Sequence, residues 1–272
     1  MSVKVNQLSE PGEYDEDMLT LLQIIWGEGF LSPGGAPELA RLLEGCDIAG
    51  CSVLDIGCGL GAIDAALVTD YGARSVVGID IDPALVASMQ ARIERAGLSR
   101  TIEARAVSGG ALPFSPDSFD VAFSKDAIVQ IPDKAAMFAE VLRVLRPGGR
   151  FIASDWLRGG TGPYSPQMLE FFRLEGITYN MATLEESAAR LREAGFIEVD
   201  IRDRHAWYRD LAHQELAAME GPLKAVITAR IGPERTAHFI DDWRQLVLVV
   251  DRGELRPGHL KATKPSSLTI SL

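Results

Sequence analysis

The chain has 272 residues, 47% hydrophobic and 24% charged, and its 38 acidic against 27 basic side chains give a formal net charge of −11. That composition belongs to a folded globular protein, long enough for one enlarged domain or two small ones, and it excludes disordered and fibrous classes. The acidic excess argues against nucleic acid or an anionic membrane as partner, since phosphate binding depends on clustered Lys and Arg, and it favours a small-molecule substrate.

In chain order, the opening MSVKVNQLSEPGEYDED lacks the basic-then-apolar order of a signal peptide. The longest apolar runs, such as Leu246 to Val250, fall far short of the roughly 20 residues of a membrane span, so a cytoplasmic protein is expected. The cysteines Cys46, Cys51 and Cys58 are too few to staple such a chain, and reduced thiols are expected. Tyr14 to Gly50 reads as a helix, then Phe30-Leu31-Ser32-Pro33-Gly34-Gly35, then a second helix ending at Glu44. From Ser52 onward, short β-branched runs alternate with amphipathic stretches, the pattern of a parallel sheet with helices on both faces. The predicted strands are Ser52–Ile56, Ser75–Asp80, Thr101–Ala106, Phe119–Ser124, Arg150–Asp155, Glu198–His205 and Gly258–Thr263, with helices at Ala62–Asp70, Pro83–Ala96, Ala135–Leu145 and Thr183–Ala194. Pro147-Gly148-Gly149 predicts a turn into the fifth strand. Between the last two strands, Tyr208 to Arg256 carries apolar residues at helical spacing. The expected organisation is a single enlarged α/β domain: a helical N-terminal arm or lid (1–50), a core (51–207), a helical insertion (208–256), and a last strand with its tail (257–272). Arm and insertion would cover the strand ends where open α/β sheets bind ligands.

The residues that carry chemistry begin at Val53-Leu54-Asp55-Ile56-Gly57-Cys58-Gly59-Leu60-Gly61-Ala62, a strand running through a glycine turn into a helix. Gly57, Gly59 and Gly61 let a ligand approach the backbone, and Asp80, at the end of the next strand, is placed to accept hydrogen bonds from ribose hydroxyls. The loop also satisfies a dinucleotide fingerprint. Asp55, two residues before the first glycine, suits a cationic ligand such as S-adenosylmethionine better than the pyrophosphate of NAD.

Leu142-Arg143-Val144-Leu145-Arg146-Pro147-Gly148-Gly149, following Phe119-Asp120-Val121, completes a pattern that resembles class I S-adenosylmethionine-dependent methyltransferases. That resemblance implies a seven-stranded Rossmann-like sheet, with the seventh strand antiparallel between the fifth and sixth. Tyr14, Trp26 to Gly35, Ser124-Lys125-Asp126-Ala127-Ile128 and Gly258 to Lys264 resemble the phosphoethanolamine N-methyltransferase family over nearly the whole chain. The resemblance implies that Leu31, Ser32, Gly57, Asp80, Ile81, Val107 and Lys125 contact the cofactor, that Tyr14 closes over the site, and that Asp126 faces the substrate amine.

The departures are specific. The family pairs its tyrosine with a histidine four residues after the aspartate; here that position is Gln130, which is no general base at neutral pH but can still hydrogen-bond. The family's tyrosine-and-arginine phosphate clamp corresponds to Arg173, Ile177 and Tyr179, of which only the last matches, so phosphoethanolamine is not the expected substrate. The family's acid after the third strand is replaced by Ala106, which leaves Ser108 or a backbone contact to meet the adenine. Trp156 and Tyr179 stand among aromatic residues suited to a cation-accepting pocket. The histidines show no metal-ligand spacing, and no metal is expected. The reading is therefore S-adenosylmethionine-dependent methyl transfer, with S-adenosylhomocysteine as product, to a small acceptor that is an amine other than phosphoethanolamine. The catalytic residues would be Tyr14, Asp126 and Gln130, with Trp156, Arg173 and Tyr179 at the substrate. The rival readings are an O- or C-methyltransferase, an NAD-dependent oxidoreductase, and a noncatalytic cofactor-binding relative. The oligomeric state is left open.

Overall fold

The alternation of β-branched runs and helices builds one mixed sheet in a computed structural model that describes residues 14–176 and 179–266. Ile177 lies outside the described residues. The strands are β1 (Ser52–Ile56), β2 (Ser75–Asp80), β3 (Ile102–Ala106), β4 (Phe119–Lys125), β5 (Leu145–Arg158), β6 (Ile197–Asp203) and β7 (Leu255–Thr263). Their spatial order is β3-β2-β1-β4-β5-β7-β6, with β7 antiparallel to both neighbours. The first five strands of that order pair in parallel.

Both faces of β1 are buried, so successive side chains feed opposite cores. Val53 joins a cluster with Leu67 of α3 (Ala62–Thr69), Met89 of α4 (Pro83–Arg95) and Leu39 of α2 (Gly35–Leu42). Leu54 joins Phe138 and Val141 of α5 (Lys134–Val144) and Leu191 of α7 (Leu184–Ala194). Helix starts follow local chemistry. The Asp82 side chain accepts from Ala84 N at 2.8 Å with Pro83 in the first turn, and Thr183 and Glu186 form a reciprocal capping box.

A third core lies among helices rather than on the sheet. It joins α1 (Glu16–Trp26), α6 (Pro166–Glu175), α8 (His205–Glu220), α9 (Lys224–Ile231) and α10 (Pro233–Asp251), and reaches the end of β5 at Trp156 and the start of β7 at Leu255. α10 alone buries Phe239, Ile240, Trp243, Leu246, Val247 and Val250. At about 1.5–3 kcal/mol for each fully buried apolar side chain, packing rather than helix propensity holds this layer.

Three expectations are corrected. The turn at Pro147-Gly148-Gly149 is a bulge inside a longer β5, because Phe119 pairs with Leu145 while Val121 pairs with Arg150. The stretch before Thr183, for which the sequence suggests no element, contains α6, capped by Ser165 and opened by Pro166. His205 begins α8 rather than ending β6, and the last strand starts at Leu255, ahead of Gly258.

Candidate functional site

A cleft of about 860 Å³ opens where the carboxyl ends of β1, β2, β3 and β4 meet the N-terminal arm, within the range of about 300–1,000 Å³ usual for small-molecule sites. Tyr14, Leu31, Ser32, Gly57, Gly59, Asp80, Ile81, Val107, Ser108, Lys125, Asp126 and Gln130 all line it.

The glycine loop is shaped by close approaches. Gly57 has φ +81°, and a Cβ there would lie 2.2 Å from the Ala127 Cβ, so loop and β4 end can meet only without a side chain. The Gly57 and Cys58 N–H groups donate to Ile79 O, at 2.8 and 3.1 Å. Gly59 N donates to Asp80 Oδ2 at 3.0 Å, and Asp80 Oδ1 accepts from Asp82 N at 3.0 Å. Phosphate loops aim their N–H groups at the ligand; here three of them are engaged by β2, which disfavours the pyrophosphate of a dinucleotide. Burial raises the Asp80 carboxyl, while the N–H groups of Asp82 and Gly59 oppose that shift. Beside it Ile81 offers an apolar surface, 37% exposed.

Across the cleft, Asp126 has φ +61°, which turns the chain sharply after β4. Its Oδ1 accepts from Ser154 Oγ at 3.0 Å and its Oδ2 from Lys125 Nζ at 3.0 Å. Lys125 Nζ also donates to Pro33 O at 3.1 Å, tying the arm's loop to β4. Among the described lining residues Lys125 is the one cation, against Asp80, Asp82, Asp126, Asp133 and Glu140.

Gln130 ends a 3-10 turn, Ile128–Gln130, that residues unnoticed in the sequence hold in place. Val129 N donates to Asp155 Oδ1 at 2.9 Å, and Lys134 Nζ donates to Ile128 O at 2.7 Å and Ile131 O at 3.0 Å. Both side chains are buried; burial raises Asp155 to about 8 and lowers Lys134 to about 8. A lysine at a helix start gives no sequence signal for this role.

Several expected site residues lie elsewhere. Asp55 is not among the residues that line the cleft: it is 2% exposed and sits beneath the loop against Asp64, and burial pushes both acids upward, Asp64 to about 7. Gly61 lies outside the cleft, and a Cβ there would meet Met89 Cγ at 2.6 Å, so it serves helix packing. Arg173 is at the surface, paired with Glu170 at 2.6 Å, and lines neither the cleft nor the neighbouring cavity. Trp156 and Tyr179 line that second, smaller cavity, which shares Tyr14 and Leu31 with the cleft.

A methyltransferase-domain family signature matches residues 53–149, which hold the glycine loop, Asp80, Lys125, Asp126 and Gln130. The chain carries a class I S-adenosylmethionine-dependent methyltransferase domain, close to the phosphoethanolamine N-methyltransferase family. Phosphoethanolamine N-methyltransferase 3 of Arabidopsis thaliana is 29% identical over 90% of this chain and 49% of its own length. The chain thus spans about half the length of the curated relatives it matches. Phosphoethanolamine N-methyltransferase 2 of Haemonchus contortus, solved with S-adenosyl-L-methionine, superposes with TM-score 0.86 at 23% identity, covering 93% of this chain and 58% of that one. Geranyl diphosphate C-methyltransferase from Streptomyces coelicolor superposes with TM-score 0.65 at 17% identity, covering 84% and 75%. Fold likeness therefore extends to enzymes with unrelated acceptors.

The cleft fits this cofactor class on its own geometry: a side-chain-free loop at Gly57, a strand-end carboxylate at Asp80, an apolar platform at Ile81, and an acidic lining suited to positive charge. Among the described residues no cluster of His, Cys, Asp or Glu could hold a metal ion, and no helix is long and apolar enough to cross a membrane.

Proposed function

We propose that this methyltransferase transfers a methyl group from S-adenosylmethionine to an amine nitrogen of a small molecule other than phosphoethanolamine. The observation that carries the reading is the Asp126 carboxylate, 6% exposed and fixed by Ser154 and Lys125, in one cleft with Tyr14 and Gln130. When bound, S-adenosylmethionine supplies an electrophilic methyl group on a sulfonium. Asp80 would accept the ribose hydroxyls and Ile81 would lie against the adenine. Asp126 would accept an N–H of the acceptor, Gln130 and Tyr14 would fix its direction, and Tyr14 and Leu31 would keep water out. Methyl displacement disperses charge, so orientation counts for more than a strong base; Gln130 supplies none, and the cleft has no histidine among its described lining residues.

Phosphoethanolamine is a poor match. Arg173 is turned outward onto Glu170, and the one cation of the described lining, Lys125, is already engaged by Asp126 and Pro33 O. Release of S-adenosylhomocysteine should therefore depend on added amine and be far slower with phosphoethanolamine than with an amine lacking phosphate. Rapid turnover of phosphoethanolamine, lost in Arg173→Ala, would refute the acceptor assignment.

A further inference from the structure

The smaller cavity, about 70 Å³, has room for roughly five to seven water-sized groups at about 10–15 Å³ each. Trp26, Trp156, Phe171, Tyr179, Phe239 and Trp243 supply aromatic walls. Its ionisable lining includes Glu175 and Asp242 but no Lys, Arg or His among the described residues. Asp242 is 2% exposed and its Oδ1 has no partner among the described residues; its Oδ2 lies 3.4 Å from His238 Nε2. Tyr208 is fully buried, and its hydroxyl likewise has no partner there. Glu175 accepts from Tyr179 Oη at 3.4 Å, and burial, with Asp242 adding its charge, raises it to about 7. Arg235 and Arg173 lend Asp242 some opposing charge from a distance, but each is paired with other acids, Arg173 with Glu170 and Arg235 with Asp15 and Asp17.

An acceptor held in the cleft at Asp126 and extending past Tyr14 would place its far end in this cavity. A phosphate or carboxylate there would meet two acids and no Lys, Arg or His among the described lining residues, His238 lying outside that lining against Asp242 Oδ2. An alkyl end would leave Asp242 Oδ1 and the Tyr208 hydroxyl unpartnered at the cost of buried polar groups. An ammonium group supplies the missing donors, neutralises the carboxylates, and is attracted by the aromatic faces. We propose that the cavity is the specificity pocket for a second, positively charged nitrogen of the acceptor, with Asp242 and Glu175 as its counter-charges, so that the acceptor is a diamine or polyamine. The proposal rests on the reading of the chain as an amine methyltransferase.

The test is calorimetric binding, with saturating S-adenosylhomocysteine, of diaminoalkanes of three to six carbons against amino alcohols and amino acids of matched length, followed by methyl-transfer assays on the same compounds. At least one diamine should bind tenfold or more tightly than its amino alcohol, with the amino acid weakest. Asp242→Asn should erase the preference and Glu175→Gln reduce it, while S-adenosylhomocysteine affinity stays within about threefold of wild type. Equal or tighter binding of the amino acids, binding of none of the three classes, or a preference that survives both substitutions would overturn the pocket assignment. Diamines that bind with the expected preference yet are never methylated would instead sink the amine-methylation reading and leave the pocket standing.

Discussion

Asp80 has two jobs in this site: its carboxylate fixes Gly59 N, and it is the proposed ribose acceptor. At a hundredfold excess of S-adenosylmethionine over its dissociation constant, wild type should gain about 2.7 kcal/mol of stability. Asp80→Ala should lose that Tm shift, while NAD should give none with either protein; a comparable NAD shift would count against the assignment. Across the cleft, Tyr14→Phe should lower kcat by less than about tenfold and leave cofactor affinity alone, because a neutral hydrogen bond is worth only about 0.5–1.5 kcal/mol. Asp126→Ala should cost more, roughly ten- to a hundredfold, since hydrogen bonds to charged groups are worth about 1.5–3 kcal/mol. If steady-state kinetics show both variants at full turnover, the acceptor binds elsewhere. The glycines and Asp80 were legible because strand, turn and strand end fix their positions by chain distance alone. Asp55 was not, because whether it meets a ligand or Asp64 depends on how α3 lies over β1 and β2, with Gly78 leaving room for the Asp64 carboxylate.

Gln130 stands where it does because an element as small as the Ile128–Gln130 turn is pinned from two sides, by Asp155 and by Lys134. Lys134→Met removes a charged donor from the Ile128 and Ile131 carbonyls, which keep Ile131 N and the Asn180 amide, and hydrogen bonds to charged groups are worth about 1.5–3 kcal/mol. The expected outcome is a lower Tm together with a raised KM for the acceptor and unchanged cofactor affinity, read by calorimetry and initial rates. An unaltered acceptor KM would remove the turn from the account of specificity. Element patterning in the sequence was clear where one face alternates or recurs, as in β1, β2 and α4. It failed at α6, which follows the Gly159-Gly160-Thr161-Gly162-Pro163 punctuation, and at the β5 bulge, where Pro147-Gly148-Gly149 bends a strand that continues. Helix α6 carries both Glu175 and the outward-facing Arg173, so missing it also obscured which of the two reaches the interior.

At the scale of the molecule, buried acids set the pH response. Asp64, Glu175 and Glu215 are raised to about 7 and Asp155 to about 8, in each case chiefly by burial. An acid whose folded pKa is raised contributes stability that is full below its unfolded value, near 4, and is lost as pH climbs through its folded value. Lowered acids such as Glu38 and Asp120, where partners outweigh burial, give up their contribution only on the acid side. Tm should therefore fall from pH 5.5 to pH 8.5, and Asp64→Asn should reduce that fall; a flat profile in wild type would contradict it. The parallel part of the sheet was legible because βαβ alternation constrains topology tightly, whereas the antiparallel place of β7 between β5 and β6 was implied by the resemblance to class I methyltransferases and not by the strand pattern. The helical layer was legible as helices but not as a cavity, since aromatic residues at helical spacing look alike whether they fill a core or line a pocket. The central claim is nitrogen methylation of an amine without phosphate. Its most direct test is to supply S-adenosylmethionine carrying a 13C-labelled methyl group to the protein with a panel of amines that includes phosphoethanolamine, and to read the product by carbon NMR. The expected result is an N-methyl resonance on a non-phosphorylated amine, matched by equimolar S-adenosylhomocysteine. Label on oxygen or carbon, phosphoethanolamine as the best acceptor, or cofactor left unconsumed with every amine would contradict it.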